Sequence, residues 1–136
     1  MMALEQIDGA SDNPFPFDIS TAAPSRLRGI FRSGAYRGTT ANMANGYTQG
    51  NLAILPANHA LDFARFCQRN PKPCPLVGVS DTGDPMMRTL GEDIDIRTDI
   101  PSYNIYRNGV IDASVSDISE FWADDSVAFV LGCSFS

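Results

Sequence analysis

Apolar residues fall along this chain in short runs of differing period, and each period predicts an element. Leu27, Ile30 and Phe31 sit at helical spacing between Ser25 and Arg32, with Gly34 placed as a stop signal. The stretch from Gly34 to Gly50 is rich in Gly, Thr and Asn and reads as a long loop. Leu52 to Leu55 is continuously apolar and ends at Pro56, the pattern of a strand buried on both faces. Ala60, Phe63, Ala64 and Cys67 then recur at i, i+3, i+4 and i+7. Asn58, His59, Asp62, Arg65 and Arg69 take the opposite face, and Pro71 ends the helix. Pro71, Pro73 and Pro75 alternate with Lys72 and Cys74, forcing a stiff, extended entry into a second apolar run, Leu76 to Val79. A strand, a helix and a strand joined this way should place the two strands parallel in one sheet, with a right-handed crossover.

Ile94-Asp95-Ile96-Arg97-Thr98-Asp99-Ile100 alternates without a break. Read as extended, it puts the isoleucines Ile94, Ile96 and Ile100 on one face and Asp95, Arg97 and Asp99 on the other. Tyr103 to Arg107 and Val110 to Asp112 flank Asn108-Gly109, the dipeptide that best supports a two-residue hairpin turn. Asp117 followed by Glu120 has capping-box character, and Asp124 opens a further helical stretch expected through Val127 to Leu131. The fold class is therefore α/β: a mixed sheet with a βαβ unit and a hairpin, and helices packed on the sheet. Residues 1–24 read as an N-terminal arm and 25–136 as the α/β domain. The apolar run leading straight into Gly-Cys-Ser-Phe-Ser, with no polar fraying segment after it, reads as a cut ending.

Composition narrows the partners. Ten Lys and Arg against sixteen Asp and Glu give a net charge of -6, which repels polyanions and argues against nucleic acid or an anionic membrane. No apolar run approaches the roughly 20 residues of a membrane-spanning helix, and a cytoplasmic protein is expected. Lys72 is the sole lysine, so a lysine Schiff base would have to form there and pyridoxal phosphate is not expected. Cys67, Cys74 and Cys133 make an odd set without a secretory signal, which suits reduced thiols. His59 is the only histidine, and neither zinc-type spacing nor a nucleotide-binding glycine motif occurs, so no metal or nucleotide cofactor is expected.

Four segments, Tyr47-Thr-Gln-Gly-Asn-Leu-Ala-Ile-Leu-Pro56, Phe66-Cys-Gln-Arg-Asn-Pro-Lys-Pro-Cys-Pro75, Asp95-Ile-Arg-Thr-Asp-Ile-Pro101 and Gly132-Cys-Ser-Phe-Ser136, resemble successive motifs of the D-glutamate cyclase and putative hydro-lyase family. The similarity runs from about Arg32 onward. Members of that family continue for about as many residues again, with the Gly-Cys-Ser-Phe-Ser motif near their middle. One departure lies at Thr39-Thr40-Ala41-Asn42-Met43, where the family carries a Pro-Thr-Ala-Gly-like stretch. The resemblance implies a cofactor-independent lyase that dehydrates a small amino acid: the amine of D-glutamate attacks the side-chain carboxyl, water leaves, and 5-oxo-D-proline forms. A non-catalytic small-molecule-binding or assembly fragment of the same family is the alternative.

Such a reaction needs a group to hold a carboxylate, a base for the ammonium and an acid for the departing hydroxyl. Asp95, Arg97 and Asp99 are candidates from the alternating face, against the plainer reading of a solvated strand face. Cys133 and Ser134 follow Gly132 at an expected helix–loop junction where free amides collect, although a free cysteine is more often a small buried apolar residue. Asn70 and Cys74 lie on the proline-stiffened segment, Gln49 and Asn51 precede a strand, and Arg32 borders the glycine loop. With Tyr103 these form the substrate-binding set. A small carboxylate or amino acid is the expected ligand, and assembly into a homo-oligomer is left open.

Overall fold

A computed structural model of the chain describes residues 13–133. Its contacts divide it into two compact units, each assembled from two separate stretches: the described residues up to Tyr47 with Arg97–Glu120, and Thr48–Ile96 with the residues from Phe121 onward.

In the first unit, α1 spans Pro24–Arg32. Pro24 occupies its first turn, where a missing N–H leaves no hydrogen bond unmade, and Gly34 at a φ of 79° lies just past its end, as the sequence predicts. Leu27 and Phe31 turn inward and cluster with Phe15, Ala22, Met43 and Ala44. The expected arm is thus packed where it is described: Phe15 meets the Tyr36 ring edge-on at 5.1 Å, and residues 1–12 lie outside the described residues. Backbone bonds from Ala44 to Ile19 (2.8 Å) and from Asn45 to Ser20 (2.8 Å) fasten the glycine loop to this segment. Asn42 sits at a φ of 66°, and Asn is the residue after glycine that best tolerates the left-handed region because its short amide bonds locally.

The same unit carries the hairpin of β3 (Tyr103–Arg107) and β4 (Val110–Val115), paired antiparallel. Asn108 at 52° and Gly109 at 79° give both turn residues the positive φ that the sequence signal requires.

The second unit is a three-stranded sheet in the order β1-β5-β2, with β1 at Gln49–Pro56, β2 at Leu76–Val79 and β5 at Ser126–Cys133. Between β1 and β2 runs α2, Ala57–Arg69. Both β1 and β2 pair antiparallel with β5, so they run in the same direction, as the crossover predicts, with β5 inserted between them. Ala60, Phe63, Ala64 and Cys67 are the less exposed positions of α2, and Phe63 stacks edge-on against Phe129 of β5 at 4.9 Å.

Three expectations are corrected here. The run Val127 to Leu131 is strand, not helix, and the stretch around Asp117 and Glu120 is a turn. Five consecutive apolar residues carry no helical face, and Ser126 to Phe129, all buried, fill the middle of the sheet, where a strand is covered on both sides. In consequence Cys133 ends a strand, not a helix. Next, Ile94–Ile100 is not extended. Asp95 makes a single antiparallel bridge with Met86, and the chain then turns at Ile96–Thr98. Ile96 and Asp99, three positions apart, are both buried at 2%, which strict alternation would forbid. Finally, β1 is only half-buried, because it is an edge strand of this sheet.

Ser80, just beyond β2, completes the pairing of the central strand. Its N–H donates to the Ala128 carbonyl (2.9 Å), and its hydroxyl oxygen accepts the Ala128 N–H (2.9 Å). Since Ala128 is wholly buried, Ser80→Ala strands an amide without water and should cost about 1–3 kcal/mol in urea unfolding. In the other unit, Asn42→Val should lower stability by roughly 1–2 kcal/mol through left-handed strain while Asn42→Gly stays close to the parent, as thermal melting of the two variants would reveal.

Candidate functional site

The residues singled out from sequence separate into two groups. Arg32, Arg97, Asp99 and Tyr103 belong to the first unit, and Gln49, Asn51, Asn70, Cys74, Asp95 and Cys133 to the second. Ser134 lies outside the described residues.

In the first unit the dominant feature is an ion pair. Arg32, in the last turn of α1, donates from Nε to Oδ1 of Asp99 (2.8 Å) and from a terminal nitrogen to Oδ2 (2.8 Å), the planar fork matching the carboxylate edge to edge. Thr98 adds its hydroxyl to Oδ1 at 2.8 Å. The Asp99 side chain has no exposed surface, whereas that of Arg32 is half exposed. With these donors committed to it, the carboxylate acts as an anchor that ties the turn after Ile96 to the helix. Arg97 is partly buried, and its carbonyl accepts the Ile118 N–H at 3.0 Å. The hydroxyl and then the N–H of Ser119 hold the Asp117 carboxyl below its usual range, and the Arg97 charge contributes in the same direction. Tyr103 is buried at the start of β3. Sequence reasoning missed Thr98 as a partner of Asp99, because an alternating strand would have turned it to the opposite face.

In the second unit the candidates gather at one end of the sheet, where β1 and β2 begin and β5 finishes. Gln49 is the register partner of Cys133, and Asn51 lies opposite Leu131. The Gly132 N–H donates to the Pro75 carbonyl at 2.8 Å, which brings the Asn70-to-Pro75 segment abreast of the same end. Within that segment, Asn70 is engaged locally: its side-chain amide donates to the Phe66 carbonyl (2.8 Å) and closes the end of α2. Cys74 and Cys133 are partly buried, free thiols, and Cys67 is a buried one. Burial pushes the Cys67 thiol up, reinforced by the neighbouring Cys74 thiol. Asp95 belongs to this unit through its bridge to Met86. The arrangement thus sets an amide, Gln49, and two thiols, Cys74 and Cys133, on adjoining segments, a combination able to hydrogen-bond a small polar ligand and to deliver a proton. No group of three or more metal-ligating side chains occurs among the described residues, and no helix there is long and apolar enough to cross a membrane.

The pairing of Arg32 with Asp99 allows a direct check. Arg32→Ala leaves a buried carboxylate without its counter-charge and should destabilise the protein by about 3 kcal/mol in denaturant titration, with Arg32→Ala/Asp99→Ala recovering part of the loss.

No family model matches the chain. Among curated proteins it is similar to several bacterial ones named "putative hydro-lyase". The protein of Ruegeria pomeroyi is 63% identical over 118 residues, covering 87% of this chain and 43% of its own length. That of Jannaschia sp. is 63% identical over 117 residues, covering 86% and 44%. That of Verminephrobacter eiseniae is 52% identical over 133 residues, covering 98% and 48%. The chain therefore spans rather less than half the length of these relatives.

Proposed function

Because the chain belongs to the family of proteins named "putative hydro-lyase", we propose that it forms part of a cofactor-independent lyase of the D-glutamate cyclase type. The substrate is a small amino acid such as D-glutamate. Its amine forms a bond to the carbon of the side-chain carboxyl, the carboxyl hydroxyl departs as water, and the product is 5-oxo-D-proline. The observation that carries this reading is the gathering of Gln49, Cys74 and Cys133 at one end of the β1-β5-β2 sheet, on segments that contain three of the four family motifs. In this reading Gln49 donates a hydrogen bond to a substrate oxygen, and the Cys133 thiol protonates the departing hydroxyl. Asp95, in the same unit, is the proposed acceptor of the ammonium proton.

The chain covers 43–48% of the relatives' length, and a binding or assembly role without catalysis is the alternative reading. Turnover of the 136-residue chain, compared with that of a full-length relative, separates the two.

Incubation of a full-length relative with D-glutamate should yield 5-oxo-D-proline, followed by chromatography on a chiral phase. Absence of product from D-glutamate and from related acids would sink the proposal. In the same protein, replacing the cysteine equivalent to Cys133 by Ala should lower kcat by at least about tenfold, or ~1.4 kcal/mol of transition-state stabilisation. Survival of kcat would remove the thiol from the mechanism.

A further inference from the structure

Among the described residues β2 is the last strand on its side of the sheet. Just past its end, the Ser80 N–H turns inward to the Ala128 carbonyl (2.9 Å). Successive peptide groups along a strand point to opposite edges, so the N–H and C=O of Val79 point outward, away from β5. The register shift between Leu76 and Gly78 leaves Val79 in its ladder position opposite Phe129. Apolar side chains line this edge. Leu76, Val77 and Val79 are 36%, 41% and 42% exposed, and Leu90, whose side chain lies over Gly78, is 40% exposed. Edge strands that meet water are commonly blunted by charge or proline, and Leu76–Val79 carries neither. The opposite edge differs: the exposed residues of β1 are Gly50, Asn51 and Pro56, and its apolar run Leu52 to Leu55 is half-buried.

The exposure falls on both faces. α2 packs over β1 and β5, with Phe63 against the buried Phe129. Val79, the register partner of Phe129, shares that face and stays open. Val77 lies toward Gly132, which alternates with Leu131 and so belongs to the other face. A helix laid on one side would cover only part of this surface. A further strand, with side chains alternating to both faces, would cover all of it and would also bond the Val79 peptide groups.

We propose that β2 is an inner strand in the full-length proteins of this family, its outer edge paired at Val79 with a strand from the portion of the relatives outside the matched residues. The matched portion is 43–48% of the relatives' length, so more than half of each polypeptide is there to supply the strand. The proposal rests on family membership and not on the lyase reading. Cys74 stands just before β2, so the added strand would border the sheet end that also holds Gln49 and Cys133.

The test uses the full-length Ruegeria pomeroyi relative. Photoreactive benzoylphenylalanine replaces the residue equivalent to Val79, and after irradiation the joined peptides are sequenced by mass spectrometry. Expected is an intramolecular cross-link to a peptide outside the 118 matched residues. A cross-link confined to the matched residues, one joining two copies, or none at all would overturn the proposal. Hydrogen exchange on the unaltered protein is a second readout that needs no substitution. The amide equivalent to that of Val79 should exchange at least ~100-fold more slowly than in an unstructured peptide. Exchange at the unstructured rate would overturn the pairing even if the photoreactive variant failed to fold.

Discussion

The second unit depends on one strand. Ser126 to Phe129 of β5 are buried, and β5 alone pairs with both β1 and β2. A peptide group away from water must find a partner inside the protein. In β5 that demand is met on one edge by Gln49–Pro56 and on the other by Leu76–Val79, and past the end of β2 by the backbone and hydroxyl of Ser80. The helix α2 covers one face through Phe63 on Phe129. Without the central strand, β1 and β2 would have no hydrogen-bonding partner in this sheet, and their parallel direction would be a property of the crossover alone.

The candidate site inherits this dependence. Gln49 and Cys133 are distant in sequence and meet because the first residue of β1 and the last of β5 are register partners. The Pro75 carbonyl reaches Gly132 for the same reason. A slip of one residue between β1 and β5 would send alternate side chains to the other face and dissolve the grouping. In the first unit, the bidentate grip of Arg32 on Asp99 plays the corresponding part, fixing the turn that follows Ile96.

What the sequence disclosed and what it concealed follow from range. The helix of residues 57–69 and the hairpin around Asn108-Gly109 were legible because their signals are local: a helical stripe and a dipeptide that accepts positive φ. The motif segments around Gln49, Cys74 and Cys133 were legible as a family resemblance. The central strand was not, since a short continuous apolar run has no period to separate a buried strand from a helix. That gap hid the neighbourhood of Gln49 and Cys133. The alternation from Ile94 to Ile100 misled for a different reason. It falls where the chain passes from one compact unit to the other, and the burial of Asp99 against Arg32 outweighs the local preference for extension.

The order of strands also governs when the sheet can exist. Pro56 pairs with Ser126 and Val79 with Phe129, so on a ribosome the first strand, the helix and the second strand all emerge well before the segment that joins them. Through that interval α2 can form from its own sequence, but β1 and β2 must wait with unpaired edges, an exposure that chaperones commonly shield. Assembly of this unit therefore waits on the arrival of β5.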